Sequence, residues 1–155
     1  MFTQILWKRS LTGLIAVCCI GLIVNRNAHG PQKLLETENG MLTGSTMPLQ
    51  VRSILQRACR DCHSDNTVWP WYADVPPISG RVHRDVERGR ALMNLSKWSD
   101  YSDSERRGFA LAILTSTKAR IMPPTMFVWM HRDARLSDAD LREIQKWALA
   151  ETGAK

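Results

Sequence analysis

The sequence predicts an all-α domain that follows an apolar N-terminal segment, and three observations support this prediction. Apolar residues recur at intervals of three and four in several segments, which is the spacing of an amphipathic helix. Two of these segments begin with the residue pattern of a capping box. No segment alternates apolar and polar residues as a half-buried strand does. With 155 residues the chain has room for one domain.

The first 24 residues resemble an export signal. Lys8 and Arg9 precede a charge-free stretch of 14 residues, Leu11 to Val24. No clear cleavage site follows it, so we expect residues 1–24 to be either an uncleaved signal anchor or a removed signal peptide. The positive-inside rule places Lys8 and Arg9 in the cytoplasm and the following residues outside it. The expected location is therefore the periplasmic side of a bacterial inner membrane, with this segment as the contact to the membrane.

Residues 25–45 are polar and contain Gly and Pro, which indicates a linker, and residues 46–155 are predicted to form the folded domain. Its first helix is expected to begin at Pro48, because proline is favoured at the first helical position. The apolar residues of this helix fall on one face, at Val51, Ile54, Leu55 and Ala58.

Three more helices are predicted further along the chain. The first covers Arg81 to Met93, and the second begins near Ser104 with Ser102 and Glu105 at capping-box spacing. The last begins with the capping box of Ser137 and Asp140. Residues 64–80 and 94–103 are expected as loops, and residues 125–133 are apolar but too short to assign.

A Cys-x-x-Cys-His run at Cys59, Cys62 and His63 is typical of covalent c-type haem attachment. Two thiols at this spacing can form thioether bonds to one porphyrin, and His63 then becomes the proximal iron ligand. A zinc site, a redox-active cysteine pair and a structural disulfide are alternatives. The zinc site lacks a second ligand pair, the redox pair lacks a βαβ pattern, and a disulfide gives the adjacent histidine no role. The sequence therefore favours haem c, with its iron, as the cofactor.

Three aromatic residues follow the motif, at Trp69, Trp71 and Tyr72. Such large aromatic side chains need an apolar surface to pack against, which a polar loop does not provide. We therefore expect Trp69 and Trp71 to contact the porphyrin. Packing in a small core is the alternative for all three.

Met122 is the predicted sixth ligand of the iron. A thioether is a soft ligand suited to haem iron, and Pro123 and Pro124 stiffen the segment that carries it. His131 is the main alternative. Met126 and Met130 are expected to be packing residues.

Several longer stretches resemble a known family. The run from Cys59 to Tyr72, the Arg-Gly-Arg-Ala-Leu-Met-Asn-Leu-Ser-Lys-Trp stretch, Met-Pro-Pro and His-Arg-Asp-Ala-Arg-Leu-Ser are similar to the small bacterial haem-binding domain family. The helix that ends in the cysteine motif and the later Met-Pro-Pro loop resemble a class I cytochrome c. The resemblance implies a cytochrome c-like fold in which the helix beginning at Pro48 crosses the terminal helix. It also implies that the haem lies between the Trp-Pro-Trp and Met-Pro-Pro loops.

These features predict a single-electron carrier that works with redox partner proteins, in preference to an enzyme. A haem enzyme or sensor with an open or displaceable sixth position is the alternative. The net charge of +6 comes from basic residues interleaved with acidic ones, so no nucleic-acid partner is expected.

Overall fold

The computed structural model describes Leu42 and residues 45–153. Within these residues there is no strand, and the predicted all-α class is confirmed. The helices are α1 (Leu49–Ala58), α2 (Arg60–His63), α3 (Ile78–Leu92), α4 (Asp103–Lys118), α5 (Thr125–Met130) and α6 (Asp138–Thr152). Three short 3-10 turns, Trp71–Asp74, Leu95–Asp100 and Arg132–Ala134, lie between them.

The predicted N-terminal signal segment, residues 1–24, lies outside the described residues. Among the helices of the described part, none combines the length and the apolar character needed to span a membrane.

Helices α1, α4 and α6 form the core. α4 packs along α6, and α1 packs against α6 from another side. The predicted apolar face of α1 is buried, because Val51, Ile54, Leu55 and Ala58 are each 5% exposed or less. Both predicted capping boxes are present, at Ser102 with Glu105 and at Ser137 with Asp140. These boxes satisfy backbone N–H groups that have no partner inside the helix, and so fix where α4 and α6 begin.

The structure differs from the sequence-based expectations at three places. α3 begins at Ile78 rather than Arg81, directly after Pro77, so the predicted loop ends earlier. Leu42, inside the predicted linker, is fully buried, and its N–H donates to the Leu95 carbonyl. Residues 125–130 form α5, in which no side chain is fully buried and Phe127 is partly buried against the core. The packing role expected for Met126 and Met130 is therefore wrong, since both are exposed.

Arg57 connects α1 to the start of α6. Its Nη2 lies 2.6 Å from Oδ2 of Asp140, and its Nη1 donates to the carbonyl oxygens of Asp133 and Arg135. Burial raises the pKa of Asp140, but hydrogen bonds from Arg57 and Ser137 and the charge of Arg57 outweigh it and lower the pKa overall. The ionised carboxylate is therefore the form that the fold stabilises.

This interaction predicts a pH dependence of stability. Because the pKa of Asp140 is lower in the folded state, its contribution is complete above the unfolded pKa, about 3.9, and is lost as the pH falls through the folded pKa. We expect Asp140→Asn to lower the free energy of unfolding by about 1 kcal/mol at pH 7. In urea unfolding, the difference from the wild type should shrink below about pH 4. A constant difference between pH 7 and pH 3 would contradict this explanation.

The end of α4 turns the chain towards Met122. Arg120 adopts a left-handed backbone conformation with φ of 57°, and its N–H donates to the Thr117 carbonyl. The N–H of Ile121 donates to the Ser116 carbonyl. These two bonds form a Schellman motif, which usually carries glycine at the left-handed position. Here the Arg120 guanidinium also donates to the Leu136 carbonyl and to Asp138.

The backbone at Arg120 is testable with two substitutions. Arg120→Gly and Arg120→Ala both lose the guanidinium hydrogen bonds, but only the alanine keeps a Cβ in the left-handed region. We therefore expect the Gly variant to be about 1 kcal/mol more stable than the Ala variant in urea unfolding. Equal stability, or a more stable Ala variant, would show that the turn relaxes to another conformation.

Candidate functional site

A cavity of about 790 Å³ lies among α2, α3, α4 and the segment from Met122 to Phe127. Its volume falls within the range of about 300–1,000 Å³ that is usual for small-molecule and cofactor sites. The predicted haem-binding residues Cys59, Cys62, His63 and Met122 all line this one cavity. The apolar part of the wall comprises Ala58, Leu92, Met93, Phe109, Ala112, Ile113, Pro123, Pro124 and Phe127.

Gly89 holds α3 against the cysteine motif. A Cβ built at Gly89 would clash with the carbonyl oxygen of Cys62 and would lie 2.9 Å from its carbonyl carbon. Since these are backbone atoms, they cannot rotate out of the way. The absence of a side chain at Gly89 therefore allows α3 to lie directly on α2 and to form one wall of the cavity.

The loop after the motif is fixed by side-chain hydrogen bonds. Arg90 donates to the Ser64 carbonyl and to the Thr67 hydroxyl, both at 2.8 Å. Asn94 donates from its amide nitrogen to Oδ1 of Asp65 at 2.9 Å. Thr67 donates in turn to the Asp61 carbonyl inside α2. The end of α3 thus positions both the motif and the residues that follow it.

His63 has a defined tautomer in this arrangement. Its Nδ1 lies 3.1 Å from the Met93 carbonyl, and a carbonyl only accepts, so Nδ1 carries the proton. Nε2 then keeps its lone pair. Burial lowers the pKa of His63, partly opposed by backbone hydrogen bonds with Met93 and Gly89. The neutral imidazole, oriented by a carbonyl acceptor, is the form that binds iron.

The two thiols are held in the protonated form. Burial raises the pKa of Cys59 to about 12, with a further increase from Cys62 and an opposing effect of Arg57. Burial raises the pKa of Cys62 to about 11, reinforced by the charges of Asp61 and Asp85. Both cysteines are free thiols, so the disulfide alternative is not what the structure shows.

A metal site built from protein side chains alone is the other alternative for this motif. Across Leu42 and residues 45–153, no group of three or more His, Cys, Asp or Glu side chains is arranged to hold a metal ion. The thiols and the imidazole instead share a large, mostly apolar cavity, which fits a flat apolar cofactor with a central metal.

A comparison with protein families decides which cofactor class this is. The family model described as "Haem-binding domain" matches residues 15–150. The chain belongs to the haem-binding domain family. Comparisons with curated proteins and with solved structures find no match. Haem is therefore the cofactor of this domain, and the cavity that contains the cysteine motif is its candidate site.

The aromatic residues after the motif do not line the cavity of the haem-binding domain. Trp69 lies against His83, with ring centroids 4.6 Å apart and the rings tilted by 31°, and it is 44% exposed. Trp71 is 66% exposed and meets Tyr72 edge to face. The structure thus does not bring Trp69 or Trp71 to the haem site. Both are exposed, and Trp69 lies against α3 through His83.

His131 also lies apart from the cavity lining. Its Nδ1 is 3.2 Å from the Phe127 carbonyl and 3.4 Å from the Tyr72 hydroxyl. Its ring stacks on Phe127, which does line the cavity. Of the two sulfur or nitrogen ligands considered for the sixth position, only Met122 is brought to the same cavity as His63.

Several residues of the site were not identified from the sequence. Gly89 and Met93 belong to the helix predicted from Arg81 to Met93, but their contacts with Cys62 and His63 cannot be inferred from spacing. Charged residues also line the cavity: Arg81, Asp85 and Arg88 on α3, and Glu105 on α4. The three residues on α3 recur at intervals of four and three, so they share one helix face, and this pattern was present in the sequence.

Proposed function

We propose that the domain binds haem c covalently through Cys59 and Cys62 and transfers single electrons outside the cytoplasm. The observation that supports this most strongly is the cavity that Cys59, Cys62, His63 and Met122 share. In a class I cytochrome c-like arrangement, His63 is the proximal ligand and Met122 the distal ligand. Haem iron supplies a reversible one-electron couple, and a methionine ligand raises its reduction potential relative to a second histidine.

The residues of the chain have separate tasks in this proposal. The two thiols would hold the cofactor in place, and the Met93 carbonyl fixes the ring of His63 and leaves Nε2 free to bind the iron. The apolar wall excludes water, which lowers the local dielectric constant and favours the less charged reduced state. If His63 and Met122 both bind the iron, no position is left for a substrate, and this favours electron transfer over an enzymatic role.

An absorption spectrum of the oxidised protein tests the assignment. A weak sulfur-to-iron band in the near infrared and a low-spin spectrum are expected if Met122 is the distal ligand. A high-spin spectrum with rapid binding of cyanide or carbon monoxide would instead favour the haem enzyme or sensor, with an open sixth position.

We also propose that residues 1–24 tether the domain to the periplasmic side of the inner membrane, where redox partner proteins would reach it. Lys8, Arg9 and the charge-free stretch after them support this. After cell fractionation, the full-length chain should stay with membranes in carbonate. Release of the full-length chain would refute anchoring, and a shortened chain in the soluble periplasmic fraction would show a cleaved signal peptide.

A further inference from the structure

The charged residues of the cavity are not explained by iron ligation. An apolar cofactor alone gives no reason for cations in the wall, but haem also carries two propionate carboxylates. The charged groups that face the cavity are Arg81, Asp85 and Arg88 from α3 and Glu105 from α4, with the neutral imidazole of His63 from α2.

The two carboxylates of the wall already have partners. Glu105 accepts hydrogen bonds from the backbone N–H and the hydroxyl of Ser102, which caps α4. Asp85 lies 3.7 Å from Nε of Arg81. This ion pair is long and uses only Nε, so it leaves the two terminal Nη groups of Arg81 for another acceptor. Those two groups form the fork that binds a carboxylate through two parallel hydrogen bonds.

The position of Arg81 along α3 distinguishes it from Arg88. Gly89 contacts Cys62, so the C-terminal part of α3 lies at the edge of the site where the thiols would hold the vinyl groups. Arg88 is next to that contact. Arg81 is eight residues before Gly89, which corresponds to roughly 12 Å along a helix axis. The vinyl and propionate groups of haem occupy opposite edges of the porphyrin, so a cation of the wall that is distant from the thiols is better placed than Arg88 to reach a propionate.

We propose that Arg81 binds a haem propionate. This rests on the proposed attachment at Cys59 and Cys62, because the attachment determines which edge of the porphyrin faces α3. Arg88, at the thioether edge, makes no such contact. Arg84 is on the same helix and exposed but does not line the cavity. Substitutions of Arg88 and Arg84 are therefore matched controls, because they remove the same charge from other positions of α3.

The test uses the full chain produced with the c-type maturation machinery. The carboxylic acid band of the propionates is followed by infrared difference spectroscopy as the pH is changed. Loss of a nearby cation raises the pKa of a carboxyl group, and a contact of this kind is worth about one pKa unit or more. Arg81→Gln should therefore reduce the acid dissociation constant of one propionate about tenfold. Arg81→Lys, which keeps the charge but lacks the fork, should have a smaller effect.

Arg84→Gln and Arg88→Gln should each change this constant less than threefold, roughly the effect of a more distant charge. The proposal would be overturned if the propionate in Arg81→Gln titrated like the propionate in Arg84→Gln. It would also be overturned if Arg88→Gln shifted the propionate pKa more than Arg81→Gln does. The mass of the denatured chain reports thioether attachment separately. The mass therefore shows whether the proposed attachment fails. The infrared titration shows whether the propionate contact fails, because it follows the propionates of bound haem whether or not the haem is attached covalently.

Discussion

Replacing Gly89 by alanine is expected to destabilise the domain and to reduce covalent haem attachment. The new Cβ would meet backbone atoms of Cys62, and neither partner can rotate away. α3 and the cysteine motif must therefore move apart, which we expect to cost about 1–3 kcal/mol in the free energy of unfolding. The same movement displaces the Met93 carbonyl from His63 and the thiols from their positions at the cavity wall.

Gly80→Ala is the matched control for this substitution. Gly80 lies on the same helix, and a Cβ built there meets nothing within 4 Å. Alanine is favoured over glycine inside a helix, so Gly80→Ala should stabilise the protein by about 0.5–1 kcal/mol. Urea unfolding should then give opposite signs for the two variants. Equal stabilisation by both would show that α3 does not rest on the motif at Gly89.

Replacing Met122 by alanine is expected to change the iron centre more than any other substitution outside the cysteine motif. If its thioether is the distal ligand, Met122→Ala should lower the reduction potential, remove the near-infrared sulfur-to-iron band and give a high-spin or water-bound ferric spectrum. These changes are measured by potentiometric titration and by absorption spectroscopy of the oxidised protein.

Met126 supplies the control, because it is 63% exposed and does not line the cavity. Met126→Ala should therefore leave the spectrum and the potential unchanged. If Met122→Ala also left the spectrum and the potential unchanged, His131 would be the alternative ligand. If Met122→Ala kept the native spectrum while His131→Ala altered it, the centre would have two histidine ligands. His131 would then have to give up its contacts with Phe127 and Tyr72.

The sequence predicted the helices well where a helix carries its own local signals. Ser102 with Glu105 and Ser137 with Asp140 mark the starts of α4 and α6, and the buried face of α1 follows from apolar spacing alone. The start of α3 was missed because Pro76 and Pro77 suggested a longer loop. Local spacing did not show that α5, a run of six residues with five apolar side chains, would bury none of them fully.

The candidate site was predictable where covalent chemistry fixes the spacing. Cys59, Cys62 and His63 are adjacent in sequence, so their proximity needs no tertiary information. Bringing Met122 to the same cavity depends on the turn at Arg120, and the role of Gly89 depends on how closely α3 approaches Cys62. Trp69 and Trp71 show the opposite error. Large aromatic residues near a cofactor motif were expected to contact it, but Trp69 lies against His83 of α3, Trp71 is largely exposed, and neither lines the cavity.

The mass of the protein tests the central proposal most directly. The full chain is produced together with the c-type maturation machinery, and its mass is measured under denaturing conditions. We expect the mass of the polypeptide plus one haem, and we expect the bare polypeptide when Cys59 and Cys62 are both replaced by alanine. A wild-type chain with the mass of the bare polypeptide, in cells that mature a control cytochrome, would contradict covalent attachment at these two cysteines.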